Sequence, residues 1–183
     1  NRETYNGELT LSRFPLDRFL TVDSLGSASA NFRLEGRYFS WPQAKTSVNA
    51  GIRQLFYKEH EYKDITLQAT LDKTHLRGTM VSKDPDAPLD LVFRGDSLQQ
   101  QYQVGLGGYI GKVDLQALHL MQEPLTMGLK VDLQGFIGEH SAYALKARFD
   151  SLSMADSRKT YTLGSLDIDM ASDLKKTTLD VKT

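Results

Sequence analysis

Ala28-Ser29-Ala30-Asn31-Phe32-Arg33-Leu34-Glu35 decides the fold class. Ala28, Ala30, Phe32 and Leu34 fall on one side of an extended chain, and Ser29, Asn31, Arg33 and Glu35 fall on the other. A period of two is the mark of a strand with one apolar and one polar face. The same alternation recurs in both directions. Ile65, Leu67, Ala69 and Leu71 oppose Thr66, Gln68, Thr70 and Asp72, while Leu125, Met127, Leu129, Val131 and Leu133 oppose Thr126, Gly128, Lys130, Asp132 and Gln134. Weaker copies run through Leu9/Leu11, Val48/Ala50/Ile52, Leu89/Leu91/Phe93, Tyr102/Val104/Leu106, Tyr143/Leu145/Ala147/Phe149, Leu166/Ile168/Met170 and Leu179/Val181. Turn signals such as Asp84-Pro85-Asp86-Ala87-Pro88, Gly95-Asp96-Ser97, Gly138-Glu139-His140 and Asp156-Ser157-Arg158 separate them, at the roughly 8–12-residue spacing of hairpins or a meander. The chain reads as all-β.

Two short stretches read as helical. Leu16, Phe19 and Leu20 follow Pro15 at i, i+3 and i+4, and Asp114 stands where it can cap Leu115–Leu120. Each precedes an alternating strand, the first ending Leu34-Glu35-Gly36 and the second Leu133-Gln134-Gly135. This parallel predicts two repeats of about 100 residues, one over 1–100 and a looser one over 101–183 that continues the same sheet.

Composition narrows the function. The 183 residues carry 22 Lys+Arg against 23 Asp+Glu, with the basic residues scattered; no nucleic-acid footprint is expected. Cysteine is absent, which excludes thiol chemistry and thiolate metal sites. Apolar runs such as Leu91-Val92-Phe93 are far too short for a membrane helix. The chain starts at Asn1 without a signal-peptide pattern, and the expectation is a piece of a longer protein.

Catalytic signatures fail one by one. The four histidines, His60, His75, His119 and His140, are at least fifteen residues apart, so none has a zinc-ligand spacing, and no metal or other cofactor is expected. No G-x-S-x-G is present. Gly105-Leu106-Gly107-Gly108-Tyr109-Ile110 fails as a dinucleotide fingerprint at its sixth position, and its glycines read as a bend or bulge. Asp84/Asp86 and Asp167/Asp169 read as solvated charges, and Trp41-Pro42 as an anchor beside a sheet edge. The chain is expected to be non-enzymatic.

An apolar sheet face has to be covered. A second sheet would give a β-sandwich binding domain. A sheet bent into a trough would keep its inner side for acyl chains, lined by Phe32, Leu34, Ile52, Leu67, Leu71, Leu129, Val131, Leu133, Leu145, Phe149 and Ile168. Alternation alone is compatible with both.

Leu34-Glu35-Gly36, Trp41-Pro42-Gln43-Ala44, the strand through Ile52, Tyr57, and Tyr62-Lys63-Asp64-Ile65-Thr66-Leu67-Gln68-Ala69-Thr70-Leu71 together resemble the TamB family of AsmA-like proteins. The cadence is clearest over Phe14–Leu98 and looser over Val113–Val181. The resemblance implies a curved, mostly antiparallel "β-taco" with an apolar groove. It also implies a periplasmic segment of an inner-membrane-anchored envelope protein of a Gram-negative bacterium. Phospholipid would pass along the groove between the membranes, with an outer-membrane β-barrel partner resembling TamA. A further expectation is an assembly module that pairs its strand edge with nascent outer-membrane strands.

Overall fold

The computed structural model describes residues 3–18, 24–38, 43–98, 101–138, 142–173 and 176–183. Phe19, Leu20, Trp41, Pro42, Glu139 and His140, each singled out above, lie outside the described residues.

The alternating segments form strands β1 (Thr4–Pro15), β2 (Leu25–Arg37), β3 (Lys45–Tyr57), β4 (His60–Asp72), β5 (His75–Ser82), β6 (Leu89–Leu98), β7 (Gln101–Asp114), β8 (Leu125–Ile137), β9 (Tyr143–Asp156), β10 (Thr160–Thr162), β11 (Ser165–Asp173) and β12 (Lys176–Lys182). They make one antiparallel meander of twelve strands in a single curved, unclosed sheet. Each strand pairs with the next in sequence, except that β10 and β11 both lie along β9 as one strand broken at Leu163-Gly164. β6 and β7 pair from Leu89↔Ile110 to Leu98↔Gln101, so the sheet is continuous from β6 to β7. No second sheet forms among the described residues, and the sandwich arrangement is not adopted.

The sharpest connection joins β3 to β4. Lys58 and Glu59 both have positive φ, 48° and 64°, and the two-residue loop matches the twist of the flanking strands. Its charges also keep the tip solvated.

Neither of the two helices expected from spacing forms among the described residues. Leu16–Arg18 is a single 3-10 turn, and 115–120 is a loop. Asp114 does cap, its Oδ1 accepting from Gln116 N and Ala117 N at 3.0 Å each. One α-type bond follows, Leu118 N to Asp114 O at 3.1 Å. His119 then turns to φ 55°, a conformation that cannot continue a right-handed helix. What looks like a helix stripe positions one side chain, Leu118, at 4% exposure.

β5 is the strand that alternation does not announce. Its inward series is Leu76, Gly78, Met80 and Ser82, opposite Leu71, Ala69, Leu67 and Ile65. Gly78 is required because the Phe93 ring lies over it, where a Cβ would come within 2.2 Å of the ring.

Candidate functional site

Register sorts every strand onto two faces. On β4, Ile65, Leu67, Ala69 and Leu71 are half-buried, and Thr66, Gln68, Thr70 and Asp72 are exposed. Across the sheet the inward residues line up in rows. One row runs Phe32, Ala50, Leu67, Met80, Leu91, Gly108, Val131, Phe149, Leu166. The next runs Leu34, Val48, Ala69, Gly78, Phe93, Leu106, Leu133, Ala147, Ile168, Val181. Leu71 and Leu145 stand in a third row with Leu76 and Val104, and Ile52 and Leu129 in a fourth with Ile65 and Ile110. All eleven residues expected to line a groove therefore share one face. The two long rows contain no charged residue.

This face is the better buried one. Ala30 is 1% exposed, Ala50 4%, Ala147 6%, Val131 7% and Leu129 8%. On a flat single layer such side chains would stand open to water. Their burial comes with the curvature of the sheet, which crowds side chains together on its inner side. The register shifts that bend it lie between Leu11 and Phe14, between Leu25 and Ala28, between Ser29 and Ala30, between Ile110 and Val113, and between Gly128 and Lys130. All lie in the strand halves nearer one rim, the rim carrying the β3–β4, β5–β6 and β7–β8 loops, and extra residues there add twist and bend. Towards the two edges the apolar rows emerge, with Leu9 at 55%, Val181 at 51% and Leu179 at 65% exposure.

Sequence reasoning missed part of this face. Met80, Leu91, Phe93 and Leu106 occupy the same rows as the expected residues. Alternation marks Leu91, Phe93 and Leu106 as apolar-face residues, but only strand pairing places them, with Met80, in line with the expected lining.

The outer face is a charge ladder. Arg33 meets Glu35 at 2.7 Å, Lys45 meets Asp72 at 2.9 Å and Arg148 meets Asp150 at 3.1 Å, with Asp167 at 3.8 Å. Asp167 and Asp169 line this solvent face as the alternation implies. Asp96 is held by two partners, Arg77 Nη2 at 2.9 Å and His75 Nδ1. Arg77 first, and His75 next, depress the Asp96 carboxyl below its usual 3.8. A depressed folded-state pKa stabilises the fold above the unfolded value, and this contribution is lost as pH falls through the depressed one. Asp96→Asn is thus expected to lower the unfolding free energy at pH 7, read by urea denaturation, by the ~1 kcal/mol or less that half-exposed ion pairs supply. The gap from the parent should close as pH is taken below 3.8; a gap constant with pH would remove the ion cluster as its cause.

The glycines of β7 serve two faces. Gly105 and Gly107 floor an open trench of about 670 Å³ on the outer side, bordered by Arg94, Tyr109, Lys130 and Asp150. Gly108 faces inward between Leu91 and Val131 with φ 145°.

At the bulged rim the loops are tied to one another. Asp84 is not the solvated charge that the turn sequence suggests: it is 1% exposed and accepts Lys63 N at 2.7 Å on Oδ2 and Asp86 N at 2.9 Å on Oδ1. Asp114 N donates to Asp86 O at 2.9 Å. Burial and the Asp84 charge hold the neighbouring Tyr62 phenol above its ordinary value. No helix among the described residues is long and apolar enough to cross a membrane. No protein-family model, no curated protein and no solved structure matches this chain.

Proposed function

We propose that this chain is a non-enzymatic, lipid-handling segment of a TamB-like envelope protein, and that the inner side of its sheet holds phospholipid acyl chains. The observation that supports it is the pair of long apolar rows, free of charge, on the curled side of a single layer. Each methylene moved from water onto such a surface gains about 0.8 kcal/mol, so a chain of ordinary length is held without specific polar contacts. Rows of apolar positions without a charge offer no single deep site, and a chain bound there can slide. Headgroups stay at the open side. In this reading the segment is periplasmic, belongs to an inner-membrane-anchored protein, and delivers towards an outer-membrane β-barrel partner.

Lipid extraction and mass spectrometry of the purified, folded chain test it. The informative variant is Leu34→Asp with Leu67→Asp, because both side chains keep solvent access and their replacement spares the buried centre. A carboxylate set against an acyl chain costs more than about 2 kcal/mol. Phospholipid on the parent should fall by about tenfold or more in the variant, with β-sheet circular dichroism unchanged. A well-folded parent free of phospholipid would sink the proposal.

One observation favours a second reading. β12 is exposed along its whole length and pairs only with β11 among the described strands. Its open edge can accept another strand by main-chain hydrogen bonds, as an outer-membrane assembly module would. A lipid-free parent that captures extended β-strand peptides would favour that role.

A further inference from the structure

No two histidines are close in sequence, but the fold carries His60, the first residue of β4, to Asp84 and Asp86 in the β5–β6 loop. One ligand atom from each lies within 4.8 Å of the others. His60 and Asp84 are buried, at 9% and 1% exposure, and Asp86 is half-buried.

The proton on the imidazole is fixed by its neighbour. Nδ1 lies 3.0 Å from the carbonyl oxygen of Ala117. A carbonyl oxygen can only accept, so Nδ1 carries the hydrogen and the neutral ring presents a lone pair at Nε2. That nitrogen is withdrawn from solvent and has no hydrogen-bond partner. It faces Asp84 Oδ2 at 3.7 Å, beyond hydrogen-bond reach. A lone pair opposed to a carboxylate is repulsive, and a cation between the two turns the repulsion into two bonds. Bonds of 2.0–2.2 Å from nitrogen and oxygen to tetrahedral zinc put the ligand atoms about 3.3–3.6 Å apart, close to the 3.7 Å between Nε2 and Asp84 Oδ2, with an Asp86 oxygen within 4.8 Å of both. The surroundings are those of an oriented ligand set. Lys63 N and Asp86 N fix the Asp84 carboxylate, Ala117 fixes the imidazole, and Tyr62 packs edge-on against it at 4.6 Å between centroids.

We propose that His60 Nε2 and the Asp84 and Asp86 carboxylates bind a divalent cation of the zinc class, with water completing its shell. An imidazole beside two carboxylates suits zinc and its transition-metal neighbours better than calcium or magnesium, which prefer oxygen alone. The ion is a clasp. It joins β4 to the β5–β6 loop and, through the His60–Ala117 bond, to the β7–β8 loop, so three loops of the bulged rim move as one. The competing occupant is a proton, giving an imidazolium paired with Asp84.

The test is titration of the chelator-treated, folded chain with zinc chloride near neutral pH, with metal content per chain and thermal midpoint read in parallel. One zinc per chain and a raised midpoint are expected. Affinity should fall at least about tenfold in both Asp86→Asn and His60→Gln. Asp86 is partly solvent-exposed, so its variant tests the site even if the His60 variant fails to fold. No uptake by the folded parent at ~100 µM zinc, or uptake unchanged in Asp86→Asn, overturns the proposal. An imidazolium signal from His60 in the proton NMR spectrum of the zinc-treated chain overturns it equally, in favour of the ion pair.

Discussion

Gly108→Ala should destabilise the fold by about 3 kcal/mol or more, read as a lowered urea midpoint with the denaturant slope retained. Two independent costs converge at this position. Its φ of 145° is one that L side chains rarely adopt, and a Cβ built there would lie 2.1 Å from the Asp90 carbonyl oxygen and 3.0 Å from Leu91 Cα. Both obstacles are backbone atoms of the paired strand, so no rotamer change relieves them. β6 and β7 would have to part in the middle of one of the two long inward rows. Gly107→Ala is the matched control. Its nearest obstacle is Val131 O at 3.7 Å, an ordinary contact, so it should lose under about 1 kcal/mol. Equal losses at the two positions would show that strand flexibility, and not the close approach at Gly108, is what matters.

Leu129→Asp is expected to cost about 3–5 kcal/mol, the penalty of an uncompensated charge among apolar side chains. Leu129 is 8% exposed, beside Val131 at 7%, and its cross-strand neighbour is Ile110. None of these offers a partner to a carboxylate. The same substitution at Leu34, 40% exposed on the same face, should be tolerated with a loss of about 1 kcal/mol. Chemical denaturation of the two variants side by side measures the difference. If Leu34→Asp were as damaging as Leu129→Asp, the apolar face would be sealed near β2 as tightly as at β8. Acyl chains would then have no entry there. The pair thus maps where the inner face is core and where it is open surface.

The residues themselves foretold most of the fold. Ala28–Glu35 and its copies alternate because neighbouring side chains on an extended backbone point to opposite sides, a property written within each strand. The eleven expected groove residues accordingly fall on one face. The helix expected over Leu115–Leu120 went wrong for a related reason. It carries helical spacing over barely two turns, and so short a stretch is governed by its anchors. Asp114 caps it, but the loop is pulled instead towards Ala117's bond with His60 and the burial of Leu118. β5 escaped notice because Gly78 replaces an apolar residue in its pattern, a gap explained only by the Phe93 ring from the next strand.

By itself, the sequence determined that this protein is all-β, that each strand has an apolar and a polar side, and that no thiolate or short-spaced histidine site exists. These are local consequences of alternation and composition. Tertiary structure alone decided that the strands form one curled layer and which apolar residues are sealed. It also decided that His60 meets Asp84 across twenty-four positions. An antiparallel hairpin returns the chain to its starting rim, so β4 and β5 carry residue 84 back beside residue 63. Such a meeting depends on strand length and register, which are properties of the assembled sheet and not of any stretch within it.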